Sequence, residues 1–224
     1  MEHSLSPYKP SKAATIYAAT TGLIVWFALI LQVSISIPAY MKVNNSLLNA
    51  IIQILSFFTI QSNLMVGVCL WTLLLKPSNA LYRFFSRGYV LGGICLCIIV
   101  VGLVYNIILR NLWHPTGLFK LADDLLHSVN PLLFVIYWLI FARQEKLKWT
   151  QSLNWLWFPF LYLIYTVIRG AIINYYPYPF INVDKLGYSQ VLINSLILLI
   201  VFLVLGLLLV AVNRIFKTRT GTPS

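Results

Sequence analysis

The residues best suited to chemistry in this sequence are a histidine, a threonine and two aspartates inside apolar stretches. His127 follows Asp123 and Asp124 by about one helical turn, and Thr59 lies in an earlier apolar stretch. An imidazole takes and returns a proton near neutral pH, and a carboxylate one turn away can orient its ring. A threonine hydroxyl needs such a base to become a nucleophile. Thr59 with His127 as its base, oriented by Asp123 or Asp124, is therefore one interpretation of these residues.

Each of these residues also has a purely structural interpretation. A buried histidine can simply bond a neighbour, and a threonine in a membrane helix commonly bonds the carbonyl one turn earlier. Arg169, in another apolar stretch, either joins two helices by pairing with Asp123 or Asp124, or recognises a ligand carboxylate through its forked guanidinium. Residue types alone leave these alternatives open.

Four further side chains complete the candidate site. Donors aimed at developing charge count for most in a site of low dielectric constant, so an oxyanion role is predicted for Asn63 or Arg169. Substrate binding is predicted for Asn130 and Asn194 as well. The sequence predicts no metal site, disulfide or cofactor, because all three cysteines lie inside apolar segments and no pair of helices offers facing histidines.

The elements that position these residues are membrane helices. Of the 224 residues, 60% are hydrophobic and only 9% are charged, whereas soluble domains carry about 25% charged residues. A spanning helix needs about 20 mostly apolar residues. Six segments qualify: residues 14–37, 47–75, 88–109, 121–141, 153–174 and 188–213. The first of them is predicted to end before Pro38 and the second before Pro77. The predicted fold is a single all-α domain over residues 1–224, a six-helix bundle with short loops.

The distribution of basic residues predicts the orientation of this bundle. Eleven Lys and Arg residues lie on one side and four on the other, with Arg169 inside a span. The more basic side is cytoplasmic by the positive-inside rule. Both tails, residues 1–13 and 215–224, are therefore predicted in the cytoplasm, and the protein in the cell membrane. The net charge of +11 follows this topology, so no nucleic-acid partner is expected.

Most of the polar residues are predicted at a similar depth below the outer face. His127, Arg169 and Asn194 each lie roughly 9 Å from the outer end of a span, and Thr59 lies nearer the middle of the second span. Polar groups inside a membrane avoid lipid. We therefore expect these side chains to surround a wet cavity that opens outward. Four glycines of the third span are expected at helix contacts: Gly88, Gly92, Gly93 and Gly102.

Three stretches together resemble a known family. They are FFTIQSN at 57–63, DDLLHSVNP at 123–131 and YTVIRGAIINYYPYPFINV at 165–183. This set is similar to the bacterial Pr6Pr membrane proteins, which are in turn similar to the androgen-induced, FAR-17a-like proteins of animals. The animal proteins hydrolyse fatty acid esters of hydroxy fatty acids with a threonine and a histidine. The resemblance implies that Thr59 is a nucleophile and His127 its base.

The leading hypothesis is therefore an intramembrane hydrolase of lipid esters, with a lipid or fatty-acyl ligand as its partner. Intramembrane polar residues also mark ion and proton paths, so a small-solute or proton transporter or channel is an alternative. A third hypothesis is a lipid-binding or assembly protein without catalysis. The hydrolase requires the second and fourth spans to bring Thr59 within one hydrogen bond or one water of His127.

Overall fold

The chain is an all-α, multi-pass membrane protein, as the sequence predicts. The computed structural model describes residues 11–44, 46–76, 78, 80–142 and 146–218. In this part of the chain, six helices are long and apolar enough to cross a membrane: Lys12–Val43, Phe58–Leu75, Gly88–Leu109, Gly117–Ala142, Gln151–Ile173 and Val183–Ile215. Pro77, the outer parts of both tails and residues 143–145 lie outside the described residues.

Within the described residues, ten α-helices make up these spans and their connections. We number them in chain order: α1 Lys12–Asn44, α2 Leu47–Leu55, α3 Phe58–Leu75, α4 Ala80–Phe85, α5 Gly88–Val104, α6 Gly117–Asp124, α7 Asn130–Tyr137, α8 Gln151–Asn154, α9 Trp157–Ile173 and α10 Val183–Thr218. Single π-helical segments follow α5, α6 and α7, and a short 3₁₀ turn, Pro179–Ile181, precedes α10.

The first span is longer than predicted. Instead of stopping before Pro38, α1 runs through this proline and ends at Asn44. Proline removes one backbone hydrogen bond, and membrane helices tolerate it. A proline near the end of an apolar segment was therefore a poor marker of the helix boundary.

The second span is not one helix, which corrects the predicted segment 47–75. It divides into α2 and α3 at Ser56 and Phe57, where the backbone of Phe57 is extended with φ −81° and ψ 129°. Thr59 is consequently the second residue of α3 and lies at a helix N-terminus rather than in the middle of a span.

Three of the four glycines of the third span, Gly92, Gly93 and Gly102, lie at close packing contacts. A Cβ atom on Gly92 would come within 2.7 Å of the Trp155 ring, and one on Gly93 within 2.8 Å of it. The Trp155 indole is itself held by a 2.9 Å hydrogen bond to the carbonyl of Tyr89. Gly102 faces the fourth span, where a Cβ would lie 3.3 Å from Pro131. The small residues therefore allow α5 to approach both neighbours closely.

The close contact between Gly93 and the Trp155 ring predicts an effect of substitution on stability. Gly93→Ala should lower the free energy of unfolding by about 1–3 kcal/mol, because the new methyl group overpacks against a ring that cannot easily move. Unfolding by SDS in mixed micelles, followed by circular dichroism, measures this change. Gly22→Ala is the matched control, since its Cβ would have no atom closer than 3.7 Å. Equal stability of the two variants would contradict the packing described for Trp155.

Candidate active site

The structure brings Thr59 and His127 into contact. The Oγ1 atom of Thr59 lies 3.2 Å from Nε2 of His127, across the interface between α3 and the π segment Leu125–Val129. Thr59 is only 7% exposed. The two residues therefore lie at the same level, which corrects the expectation that Thr59 lies deeper. The distance meets the geometric condition for a hydroxyl and its base.

The other side of the histidine ring is held by Asp123. Nδ1 of His127 lies 2.9 Å from the carbonyl oxygen of Asp123 and 3.1 Å from its carboxylate Oδ1. Both partners are acceptors, so Nδ1 carries the proton and Nε2 is free to accept one from Thr59. Tyr105 donates to the Asp123 carboxylate and stacks on the imidazole with ring centroids 4.1 Å apart. Thr59, His127 and Asp123 thus form a hydroxyl–imidazole–carboxylate series.

Pro131 shapes the backbone that carries His127. It lacks an N–H, so it cannot bond the carbonyl of His127 in an α register or of Leu126 in a π register. Neighbouring helices supply the missing donors. Asn63 of α3 donates to the Leu126 carbonyl at 3.1 Å, and Asn106 donates to the His127 carbonyl at 3.3 Å. These bonds fix the turn that presents His127 to α3.

Asn63 and Asn130 hold helices together, which differs from the predicted oxyanion and substrate roles. The Asn63 amide group also donates to the carbonyl of Thr59 at 2.9 Å, and its oxygen accepts from Asn130 at 2.8 Å. Both side chains are fully buried. All the hydrogen-bonding groups of Asn63 are therefore occupied by the protein, and none is directed at a reacting carbonyl group.

Tyrosines satisfy the backbone groups freed by the break between α2 and α3. Tyr162 of α9 donates to the carbonyl of Ser56 at 2.9 Å and accepts from the N–H of Phe58 at 3.2 Å. The hydroxyl of Ser56 lies 2.7 Å from that of Tyr165. The break thus depends on residues about 110 positions away in sequence, and it sets the N-terminus of α3 beside the histidine.

Tyr178 is a site residue that the sequence interpretation missed. Its hydroxyl oxygen lies 3.5 Å from Thr59 Oγ1 and 3.4 Å from the Thr59 backbone nitrogen. Burial raises the pKa of the Tyr178 hydroxyl, so it remains a neutral hydrogen-bond donor. Tyr178 does lie in the third stretch of the family resemblance, which was the available signal. Phe180 stacks on its ring and fixes its position.

A cavity of about 590 Å³, counting its open part, lies against these groups. Its polar contributors are Thr59, His127 and three tyrosines. Most of its wall is apolar and comes from α5, α9 and α10, including Val101, Val104, Pro159, Leu163, Leu198 and Phe202. The wall therefore differs from the polar one that the sequence predicts. Thr59, His127 and Tyr178 bond neighbouring polar groups, and most of the surface that faces the space is hydrocarbon.

Three predicted site residues lie elsewhere. Asp124 forms ion pairs with Arg110 and Lys120, so Asp123 alone contacts the histidine. Asn194 donates to the carbonyl of Phe180 at 2.8 Å and secures the 3₁₀ turn. Arg169 donates to Gln53 of α2 and pairs with neither aspartate. Helical spacing gave their approximate depth but not the neighbour that each side chain faces.

The asparagine pair makes a prediction about coupling between α3 and α7. Asn63→Ala leaves the Leu126 carbonyl and the Asn130 amide without partners, so it should lower the free energy of unfolding by about 1–3 kcal/mol. In a double-mutant cycle with Asn130→Ala, the two losses should be non-additive by about 0.6 kcal/mol, a typical value for membrane helices. Strict additivity in mixed-micelle unfolding would contradict the Asn63–Asn130 bond.

Comparison with known proteins gives no relative from which a role for this site could be inferred. The chain matches no protein-family model, no curated protein and no solved structure. The features that bear on function are therefore the Thr59–His127 contact, the groups that orient it and the apolar cavity beside it.

Proposed function

We propose that this protein is an intramembrane hydrolase of lipid esters, in line with the resemblance of its three motifs to the Pr6Pr and FAR-17a-like proteins. The observation that carries the proposal is the 3.2 Å contact between Thr59 Oγ1 and His127 Nε2. A histidine held at Nδ1 by Asp123 is the arrangement that activates a hydroxyl nucleophile in hydrolases. The apolar cavity beside it suits an acyl chain.

The first half of the reaction forms an acyl-enzyme. Thr59 Oγ1 attacks the ester carbonyl carbon while His127 Nε2 takes its proton, and Asp123 stabilises the resulting imidazolium. The negative charge on the carbonyl oxygen is stabilised by the Tyr178 hydroxyl as a donor, and by the Thr59 N–H once it turns from the Tyr178 oxygen, to which it donates in the structure, to the substrate. Collapse of this intermediate breaks the ester bond, and the alcohol leaves with the proton from His127.

The second half releases the acid. A water molecule attacks the acyl-Thr59 carbonyl, His127 accepts its proton, and the tetrahedral intermediate again faces the Tyr178 donor. Thr59 leaves with the proton that returns from His127, and the carboxylic acid departs. Protons balance over the cycle, and one water molecule is consumed for each ester cleaved. No metal or cofactor takes part in this scheme.

The cavity points to the kind of substrate. Its hydrocarbon wall is chemically suited to an acyl chain next to the reactive hydroxyl, and its open side allows the rest of a long chain to extend out of the cavity. The excess of basic residues in the loops of one side supports a topology with both termini in the cytoplasm and the site in the outer half of the cell membrane. Under this proposal a lipid ester enters from the outer leaflet, and the product acid returns to it.

Kinetics of purified protein in nanodiscs, measured with a fluorogenic long-chain acyl ester, test the proposal. Thr59→Ala and His127→Ala should each lower kcat/KM by about a thousandfold or more, and the double variant should lose little beyond either one. Tyr178→Phe, which keeps the ring stacked on Phe180, should lower kcat by about 10²–10³ with little change in KM. Thr59→Ser should retain measurable turnover.

Thr166→Ala is the matched control for these variants. Thr166 is also a buried threonine, but it bonds only the carbonyls of Tyr162 and Leu163 in its own helix. Thr166→Ala should leave kcat/KM within about twofold of the wild-type value, because hydrogen bonds from a threonine hydroxyl to its own helix contribute little. Equal turnover in wild type, Thr59→Ala and His127→Ala would overturn the hydrolase. Tight lipid binding with no turnover in wild type would favour a binding protein instead.

A further inference from the structure

A second cluster of hydrogen-bond donors lies between α2 and α9. Arg169 is half-buried and donates through Nη2 to Oε1 of Gln53 at 2.9 Å. Gln53 is 4% exposed, and its Nε2 atom has no hydrogen-bond partner among the described residues. The cluster thus combines a guanidinium with a buried amide nitrogen, and its donors outnumber its acceptors.

The positive charge of Arg169 is not balanced by the protein in the described ranges. Asp123 is engaged with His127, and Asp124 with Arg110 and Lys120. No carboxylate of the described residues lies within ion-pair distance of Arg169. A charge in a membrane helix and an unpartnered buried amide are both costly, so this arrangement calls for an external acceptor.

The position of the cluster suits a lipid head group. Arg169 lies four residues before the end of α9 at Ile173, which is about 6 Å along the helix axis. One helical turn before Arg169, the hydroxyl of Tyr165 lies 2.7 Å from that of Ser56. This contact between α9 and the end of α2 separates Arg169 from the catalytic cavity. A group that reaches Arg169 therefore comes from the membrane surface.

We propose that Arg169 and Gln53 form a binding site for the oxyanion head group of a lipid, a carboxylate or a phosphate. The planar guanidinium offers parallel N–H donors to two oxygens of such a group, and the Gln53 amide offers a further N–H. This site is separate from the Thr59–His127 pair and does not require Thr59 to be a nucleophile. It goes beyond the hydrolase proposed above.

Equilibrium binding to the full-length Thr59→Ala protein in phosphatidylcholine nanodiscs tests this site without interference from turnover. The probes are palmitic acid and its methyl ester, and lysophosphatidic acid and the matching monoacylglycerol. The charged member of at least one pair should bind about tenfold tighter or better, as expected for charge-assisted hydrogen bonds. Arg169→Gln should bring that ratio close to one, and Arg214→Gln, near the opposite end of the bundle beside Leu147, should leave it unchanged.

Gln53→Glu is a second variant that tests the site independently of any folding defect caused by Arg169→Gln. The new carboxylate would pair with Arg169 inside the protein, so the fold should be kept while the preference for the charged lipid disappears. Equal affinities within both pairs, or a preference that survives Arg169→Gln and Gln53→Glu, would overturn the site. Soluble acetate or inorganic phosphate that binds as tightly as the lipids would overturn the assignment to a lipid head group.

Discussion

Backbone groups that leave a helix ladder inside a bilayer have no water to bind, so each needs a partner on a neighbouring helix. This chain has two such interruptions facing each other, the break at Ser56–Phe57 and the π segment before Pro131. Tyr162 and Asn63 supply partners at the two places. These hydrogen bonds also assemble the site, because the side chains that satisfy the backbone groups join neighbouring helices.

The interruptions determine what the bundle presents to the membrane. The break turns Thr59 into a helix N-terminal residue, where its N–H is free of the helix ladder. The π segment directs Nε2 of His127 toward Thr59, while Nδ1 of the same ring stays hydrogen-bonded to Asp123. Because these polar groups bond one another, the adjoining space is left with hydrocarbon walls. A polar cluster at the edge of an apolar cavity is the arrangement that the proposed cleavage of a lipid ester requires.

The sequence predicted the six spans because long apolar segments are a strong and local signal. It also singled out Thr59 and His127, through the cost of intramembrane polarity and through the motif resemblance, but it left open whether Asp123 or Asp124 orients the histidine. It did not predict the break in the second span, since residues 47–66 contain no glycine or proline and the break depends on Tyr162 and Tyr178, far along the chain. The partner of Arg169 was missed because depth does not determine which way a helix faces.

The central claim is that His127 activates Thr59 as a nucleophile. Labelling with a long-chain alkyl fluorophosphonate, followed by peptide mass spectrometry, tests it directly, because only an activated hydroxyl expels the fluoride and keeps the phosphonyl group. If His127 activates Thr59, the wild-type protein should carry one adduct on the peptide that contains Thr59, and folded His127→Ala should carry none although Thr59 is still present. Unlabelled Thr59 in folded wild type, or equal labelling of Thr59 in His127→Ala, would contradict it.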